Sequence, residues 1–443
     1  MESSSFKVII VGGGPVGFIA AHALYHAGID FVVLEQRESV VLDQSASLVL
    51  AAHSLRVMHQ FGLLDELMKV GCELQCHQSF TREGYRFCHS DTFSIIKKNH
   101  GSAPVAFHRA KLVEILYNRL PVKAKERYFL NKKLTGIESD EKGVNVICAD
   151  GSTYHGSMIL GADGTHSKTR RLMRSLAIAE NPQRDWDEEK PFPAKYRCMW
   201  CSFPRPAEMG QFCETQSKDR SVMFITGQER GWIFLYEKLP VPTSERVDYT
   251  DQDIESFAQE FAEYPISGTL KVKDVYAKRL TAGMANLEEG ILKYWSWGRI
   301  ALAGDACHKY TPNAGRGLNN GIQDVVVLCN KLHGMLRSNS SCPIDVAHLH
   351  NVFEEYQKSR EAPLRHDAKE SLSISRMHAW ANAFYYIMAR YIIPCEIIRW
   401  FLFNFVAVRA MRKGCVLDYI PAREPLQGLV TWEHQMKSDF NEA

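Results

Sequence analysis

Residues 8–11 form an unbroken apolar run, Val-Ile-Ile-Val, that stops at three glycines. Residues 31–34, Phe-Val-Val-Leu, form a second run that stops at Glu35. Short apolar runs bounded by glycine predict strands buried in a parallel sheet. Between them, residues 14–27 predict an apolar helix that Gly28 ends. Leu55, Met58, Phe61, Leu64 and Leu67 recur at three-residue spacing and predict a helix over 52–70, its stripe a core face. Glu83-Gly84 predicts a hairpin over 80–93. Residues 107–116 open another helix, with Arg109 in its first turn. Two or three strands follow over 127–147, Asp150-Gly151 closes a further hairpin, and 157–160 is a short apolar strand. Alternation then takes over: 196–200, 221–226, 231–236 and 272–280 are strand candidates for an antiparallel sheet, with Trp232, Phe234 and Tyr236 on one face. A last buried strand ends at Gly304-Asp305, and a Gly- and Pro-rich loop leads into a helix. From 346 on the pattern is helical, polar and amphipathic to 375 and strongly apolar over 379–408. Arg390, Pro394, Glu396 and Arg399 interrupt that last stretch, so no run approaches the roughly 20 residues that cross a bilayer. A packed or membrane-surface helical region is expected there.

Composition narrows the reading. A chain of 443 residues holds two or three lobes, or one α/β body with an insertion. The net charge of +2 gives no electrostatic case for nucleic acid as a partner. The 12 cysteines are scattered, and Cys198-x-x-Cys201 has no second pair at zinc spacing, so packing cysteines, no metal site and a reducing, cytoplasmic setting are expected. Residues 1–7 are a short polar lead in which no signal peptide is expected. The segment 180–193, rich in proline and charge, reads as a crossing into a second lobe.

The first turn carries the chemistry. Gly12, Gly14 and Gly17 form Gly-x-Gly-x-x-Gly between a strand and a helix: a tight turn, a close backbone approach to pyrophosphate, and close packing of helix on strand. The helix start offers N–H groups and a positive dipole end to phosphate. Glu35, about 20 residues on, can accept from ribose hydroxyls. Asp163, in Gly161-Ala-Asp163-Gly164, stands at a strand end before a helix, where it either fixes a ribose or a water or merely caps the helix. Arg109 is unfavourable against its helix dipole and reads equally as a solvated side chain or an anion contact. Gly315 and Gly317 let the backbone lie against a flat ligand, and the N–H groups of the following helix can face developing negative charge.

In order, Gly12-x-Gly14-x-x-Gly17, Gly161-Ala-Asp163-Gly164 and Gly304-Asp305 resemble the FAD-dependent class A monooxygenases of the para-hydroxybenzoate hydroxylase type, over most of residues 6–345. His308-Lys-x-Thr311-Pro312-Asn313-x-Gly315-x-Gly317, with Tyr196-Arg197-Cys198, is similar to the fungal branch that oxidises prenylated indoles, meroterpenoids and related natural products. The resemblance implies a Rossmann-like three-layer α/β FAD-binding domain in three parts (1–80, 103–180 and 296–345). It also implies a substrate-lobe hairpin (81–102), an inserted antiparallel-sheet substrate domain (181–295) and a helical C-terminal region (346–443). It implies bound FAD, transient NAD(P)H, O2 and a large apolar substrate that is epoxidised or hydroxylated by oxygen activated at the flavin. A dehydrogenase or reductase on the same scaffold is the alternative. Glu35 would then hold the adenosine ribose, Arg109 would contact FAD, and Asp163 would belong to the motif linked to FAD and NAD(P)H. Asp305 would bind the ribityl or pyrophosphate portion, while Gly317, Leu318 and Val49 would lie beside the isoalloxazine. In the segment that carries Val49, Ser45 stands where the family has glycine. Arg197 resembles an arginine that acts as general acid or substrate anchor, and Trp232 stands where the branch usually has tyrosine. A membrane-surface contact through the C-terminal helices is a further expectation.

Overall fold

The computed structural model describes residues 6–43, 47–339 and 343–437. Its central layer is a six-stranded sheet in the order Ser296–Trp297, Ile300–Leu302, Met158–Gly161, Lys7–Val11, Asp30–Leu34, Tyr128–Phe129. Only the Ser296–Trp297 edge runs antiparallel. Ile10 sits between Val33 on one side and Leu160 on the other, and Leu160 pairs with Ala301. Both apolar runs of the N-terminus are therefore interior strands, and their side chains are buried on both faces. The Pro15–His26 helix packs on this sheet and against the helices Arg109–Asn118 and Arg316–Ser338.

A second sheet of seven strands runs Thr281–Glu288, Ala194–Pro204, Arg230–Thr243, Arg220–Thr226, Gln211–Ser217, Cys76–Thr81, Arg86–Ser90. It is antiparallel except where Gln211–Ser217 meets Cys76–Thr81. The expected hairpin thus begins at Cys76, earlier than residue 80, and becomes the edge of this sheet. Strand alternation divides its residues between two cores. Met199, Cys201 and Phe203 face the helix Asp251–Glu260, whereas Cys198, Trp232, Phe234 and Tyr236 face the other way.

Two expected elements differ. The single helix over 52–70 is two, Ala52–Gln60 and Leu64–Val70, because Gly62 takes φ +71° and turns the chain between them. Residues 272–280 are not a strand. Val272–Tyr276 is a short helix that buries Val272, Val275 and Tyr276, an i, i+3, i+4 set, and Asp274 accepts from the Lys271 N–H at its start. The strand comes later, at Thr281–Glu288. The C-terminal part is a 33-residue helix, Val346–His378, followed by short helical pieces. Among the described residues no single helix is long and apolar enough to cross a membrane; Ala383–Ile392 and Glu396–Met411, bent by 93° to each other, reach that length and apolarity only together. All described cysteines are free.

His22, on the helix behind the first strand, is buried and contacts the Leu116 carbonyl through Nε2 at 2.9 Å. Burial pushes its imidazole down to about 4, and burial pushes His53 down to about 3. Between those values and the ordinary 6.5, the unfolded chain binds protons that the folded chain refuses, so stability falls with pH in that window. Thermal melting followed by circular dichroism is expected to drop steadily from pH 6.5 to 4.5. Each of these histidines contributes about 1.4 kcal/mol per pH unit.

Candidate active site

The ends of the Lys7–Val11, Asp30–Leu34, Met158–Gly161 and Ile300–Leu302 strands open on one cavity of about 1590 Å³, which runs on beneath the second sheet. That exceeds the roughly 300–1,000 Å³ of a single small-molecule site. One end is lined by Gly12, Gly14, Glu35, Arg109, Asp163 and Asp305. The other is walled by Phe93, Phe212, Met223, Ile225 and Phe234, with His77, Glu214 and His378 as its polar patch.

The first end has the features of a phosphate cradle. Gly12 holds φ +107° against the neighbouring strand, where an added Cβ would stand 2.5 Å from the Ala162 carbonyl oxygen. Gly17 packs on the Gly12 carbonyl, leaving no room for a side chain. A Cβ on Gly14 would meet nothing within 4 Å, so that backbone faces open cavity. No side chain caps the helix that starts there, and Pro15 at its first position has no N–H to satisfy. Glu35 is buried, and its two oxygens accept from the Gly13 N–H (2.7 Å) and the Arg37 N–H (2.9 Å), which aims the carboxylate along the cavity floor.

Arg109 opens the Arg109–Asn118 helix inside the cavity. Among the described residues none accepts a hydrogen bond from its guanidinium. Burial pushes it down from its ordinary value, while Asp305 pulls the other way. A half-buried cation without a protein acceptor is favoured further when a ligand anion completes it. Asp163 lines the cavity, but its contacts are those of a capping carboxylate. Oδ1 accepts from Ser167 Oγ (2.5 Å), and Oδ2 accepts from the Thr169 N–H (2.9 Å) and Oγ1 (3.0 Å).

The loop after Ile300–Leu302 is held from below. Asp324, fully buried, accepts from the Gly304 N–H (3.0 Å), contacts His308 Nε2 (2.5 Å) and accepts from Arg360 Nε (2.8 Å). Burial alone would raise its carboxyl, but the charges of His308 and Arg360 outweigh that and hold it at about 2. Gly315 takes φ +62° and starts the Arg316–Ser338 helix with no side-chain cap. Asn319 then donates to the Val49 carbonyl (2.8 Å) and accepts from the Ala51 N–H (2.9 Å). Val49, Gly317 and Leu318 are thereby brought to one stretch of cavity wall. Ser45 lies outside the described residues.

Arg197 requires a correction. It does not line the cavity, because strand alternation puts it with Met199 on the opposite face of the sheet, over the Phe257 ring at 4.8 Å. Its Nε and Nη2 donate to Glu237 Oε2 at 2.9 and 2.5 Å. Arg197→Ala is therefore expected to retain flavin, to keep turnover within about threefold, and to cost at most about 1 kcal/mol in denaturant unfolding, since the pair is partly solvated. Trp232 faces the cavity side but lies behind its wall, and its Nε1 has no partner among the described residues. The signals for Asn319 and for the Asp324 network were present as polar residues on a helix face that otherwise packs, but the partners are far away in sequence. The cavity also has a roof that the sequence pattern did not announce, which includes Leu402, Phe403, Val406 and Met411.

This geometry defines a dinucleotide-dependent enzyme whose apolar chamber adjoins its cofactor cradle. A family model described as "FAD binding domain" matches residues 5–348, and the chain belongs to that family as a flavoprotein monooxygenase. It is 33% identical over 405 residues to the FAD-dependent monooxygenase DEP2 of Fusarium langsethiae, covering 89% of this chain and 76% of that one. The FAD-dependent monooxygenase penE of Penicillium thymicola is 28% identical across 100% of this chain and 93% of its own. In fold, the chain matches the crystal structure of Klebsiella pneumoniae HpxO complexed with FAD and uric acid, with TM-score 0.70, 22% identity, and coverage of 91% and 97%. The uncapped helix start, the open face of Gly14 and the acceptor-less Arg109 fit FAD on the chemistry of its diphosphate alone.

Proposed function

We propose that this enzyme uses NAD(P)H and O2 to epoxidise or hydroxylate a large apolar natural product, such as a terpenoid, meroterpenoid or prenylated indole. The observation that carries this reading is the continuity of the cavity: one chamber joins the cradle of Gly14, Glu35 and Arg109 to the wall of Phe212, Met223, Ile225 and Phe234. When bound, FAD supplies the activation of O2. The Gly14 helix start and Arg109 would bind its diphosphate, and Glu35 would accept from its ribose. Asp305 would stand on the ribityl side, and the Gly315–Leu318 turn with Val49 would face its ring. N–H groups at the start of the Arg316–Ser338 helix would face the charge that the flavin gains on reduction. The aromatic wall excludes water and orients an apolar double bond or ring.

The test offers a panel of prenylated aromatics and indole alkaloids to the holoenzyme with NAD(P)H under 18O2. Product carrying one labelled oxygen supports the reading; label entering from water, or oxidation without incorporation, rejects it in favour of a dehydrogenase or reductase.

We also propose that the bent helices lie on a membrane surface. Phe384, Tyr391, Ile397, Trp400 and Phe401 are exposed there, on a segment that carries Arg390, Arg409 and Arg412 against Glu396. The full chain is expected to sediment with vesicles of mixed neutral and anionic phospholipid. Ile397→Ser with Trp400→Ser is expected to reduce the bound fraction at least about fivefold without loss of flavin.

A further inference from the structure

The apolar end of the cavity contains a buried ionic cluster that the cofactor cradle does not use. Glu214, 5% exposed, sits on the Gln211–Ser217 strand. Its Oε1 accepts from Ser79 Oγ (2.9 Å) and Gln216 Nε2 (2.6 Å). Its Oε2 lies 2.7 Å from His378 Nε2 and 3.6 Å from His77 Nε2. Burial pushes the Glu214 carboxyl up, but the two histidines outweigh it and keep the carboxylate charged. The carboxylate has four neighbours of its own, so it has little left for a ligand.

His378 does have something left. It is the last residue of the Val346–His378 helix and lines the cavity with Ile374 and Met377. Its Nε2 is committed to Glu214, and no other hydrogen bond to it occurs among the described residues. A carboxylate on one ring nitrogen fixes the orientation of an imidazole and leaves the other nitrogen for a partner. Around it the wall is Phe93, Phe212, Met223 and Phe234, so a ligand there meets a small polar patch, His378 with His77 and Gln216, set in a largely apolar wall.

We propose that Glu214 and His378 form the polar anchor of the substrate site, with Glu214 orienting His378 and His378 hydrogen-bonding a hydroxyl or carbonyl on a largely apolar substrate. The proposal rests on the reading of this chamber as the substrate site. It narrows the substrate class to largely apolar molecules that already carry a hydroxyl or carbonyl, so a reaction that installs that group must supply the substrate. A structural role, in which the pair merely ties the long helix to the sheet, would not discriminate between ligands.

The experiment titrates oxidised holoenzyme, without NAD(P)H, with farnesol and with farnesene, which lacks the hydroxyl. Tryptophan fluorescence reports binding; Trp380 is adjacent, its Nε1 donating to Gln216 Oε1 at 3.0 Å. Wild-type enzyme is expected to prefer farnesol by about tenfold, the worth of one well-placed hydrogen bond. His378→Leu is expected to bring the two probes within about threefold while moving the farnesene Kd less than about threefold. Should that protein lose FAD, Glu214→Gln is read instead, with the preference expected to fall by about threefold or more. Absent farnesol binding, equal binding of both probes to wild type, or an undiminished preference in the variants overturns the proposal. These arms involve no turnover, so failed oxygen incorporation from 18O2 is a separate result.

Discussion

Arg109→Met is expected to purify colourless, or to bind added FAD at least 10- to 100-fold more weakly than wild type by flavin fluorescence quenching. The magnitude follows from a charge-assisted hydrogen bond to phosphate, about 1.5–3 kcal/mol. The sign of the accompanying stability change is the sharper check. In the flavin-free protein the half-buried guanidinium has no acceptor among the described residues; burial disfavours its charge and the nearby charge of Asp305 favours it. Replacing it with an apolar chain of similar length removes that penalty. The apo form of the variant should therefore melt no lower than apo wild type, and the two should separate only when FAD is present. An apo protein that unfolds at a markedly lower temperature would show that Arg109 is a structural residue.

Asp324→Leu carries the largest expected loss of stability. The carboxylate is buried between His308 and Arg360 and also receives the Gly304 N–H. Removing it leaves Arg360 charged in the interior, its remaining contacts being the Asn320 carbonyl and side-chain oxygens. Breaking one side of a buried pair costs about 3–5 kcal/mol. Denaturant unfolding should show that loss, and the Asp324→Leu, Arg360→Leu double variant should recover much of it. The turn at Gly304-Asp305 loses its anchor in both proteins, so FAD affinity should stay low even where stability returns.

Much of the central sheet could be read directly from the chain, because buried parallel strands are written as short contiguous apolar runs. Residues 8–11 and 31–34 are such runs, and the glycines between them have visible steric work. The errors arose where two periods compete over a short span. Val272, Val275 and Tyr276 fit a helix face, but a neighbouring strand pattern hid them. Gly62 divides a stripe whose apolar spacing alone runs straight through. Arg197 was placed by resemblance, while the period of two in its own strand assigns it, with Met199, to the far side. The roof formed by Leu402, Phe403 and Val406 was illegible because residues 379–408 are apolar all round and carry no facial pattern. The meeting of His77, Glu214 and His378 was illegible for another reason. Nothing local to any of them encodes a contact made across hundreds of residues.

The helix Val346–His378 contributes Arg360 beneath the cofactor loop and His378 at the far wall. Eighteen residues of one rod separate them, about 27 Å at the usual rise per residue. The distance between the flavin support and the substrate anchor is in effect gauged by a single helix, bent if anywhere at Pro363, and its residue count does not change with the size of the ligand. Divergence toward longer or shorter molecules should then fall on the short helices of the roof, whose repacking leaves that gauge untouched.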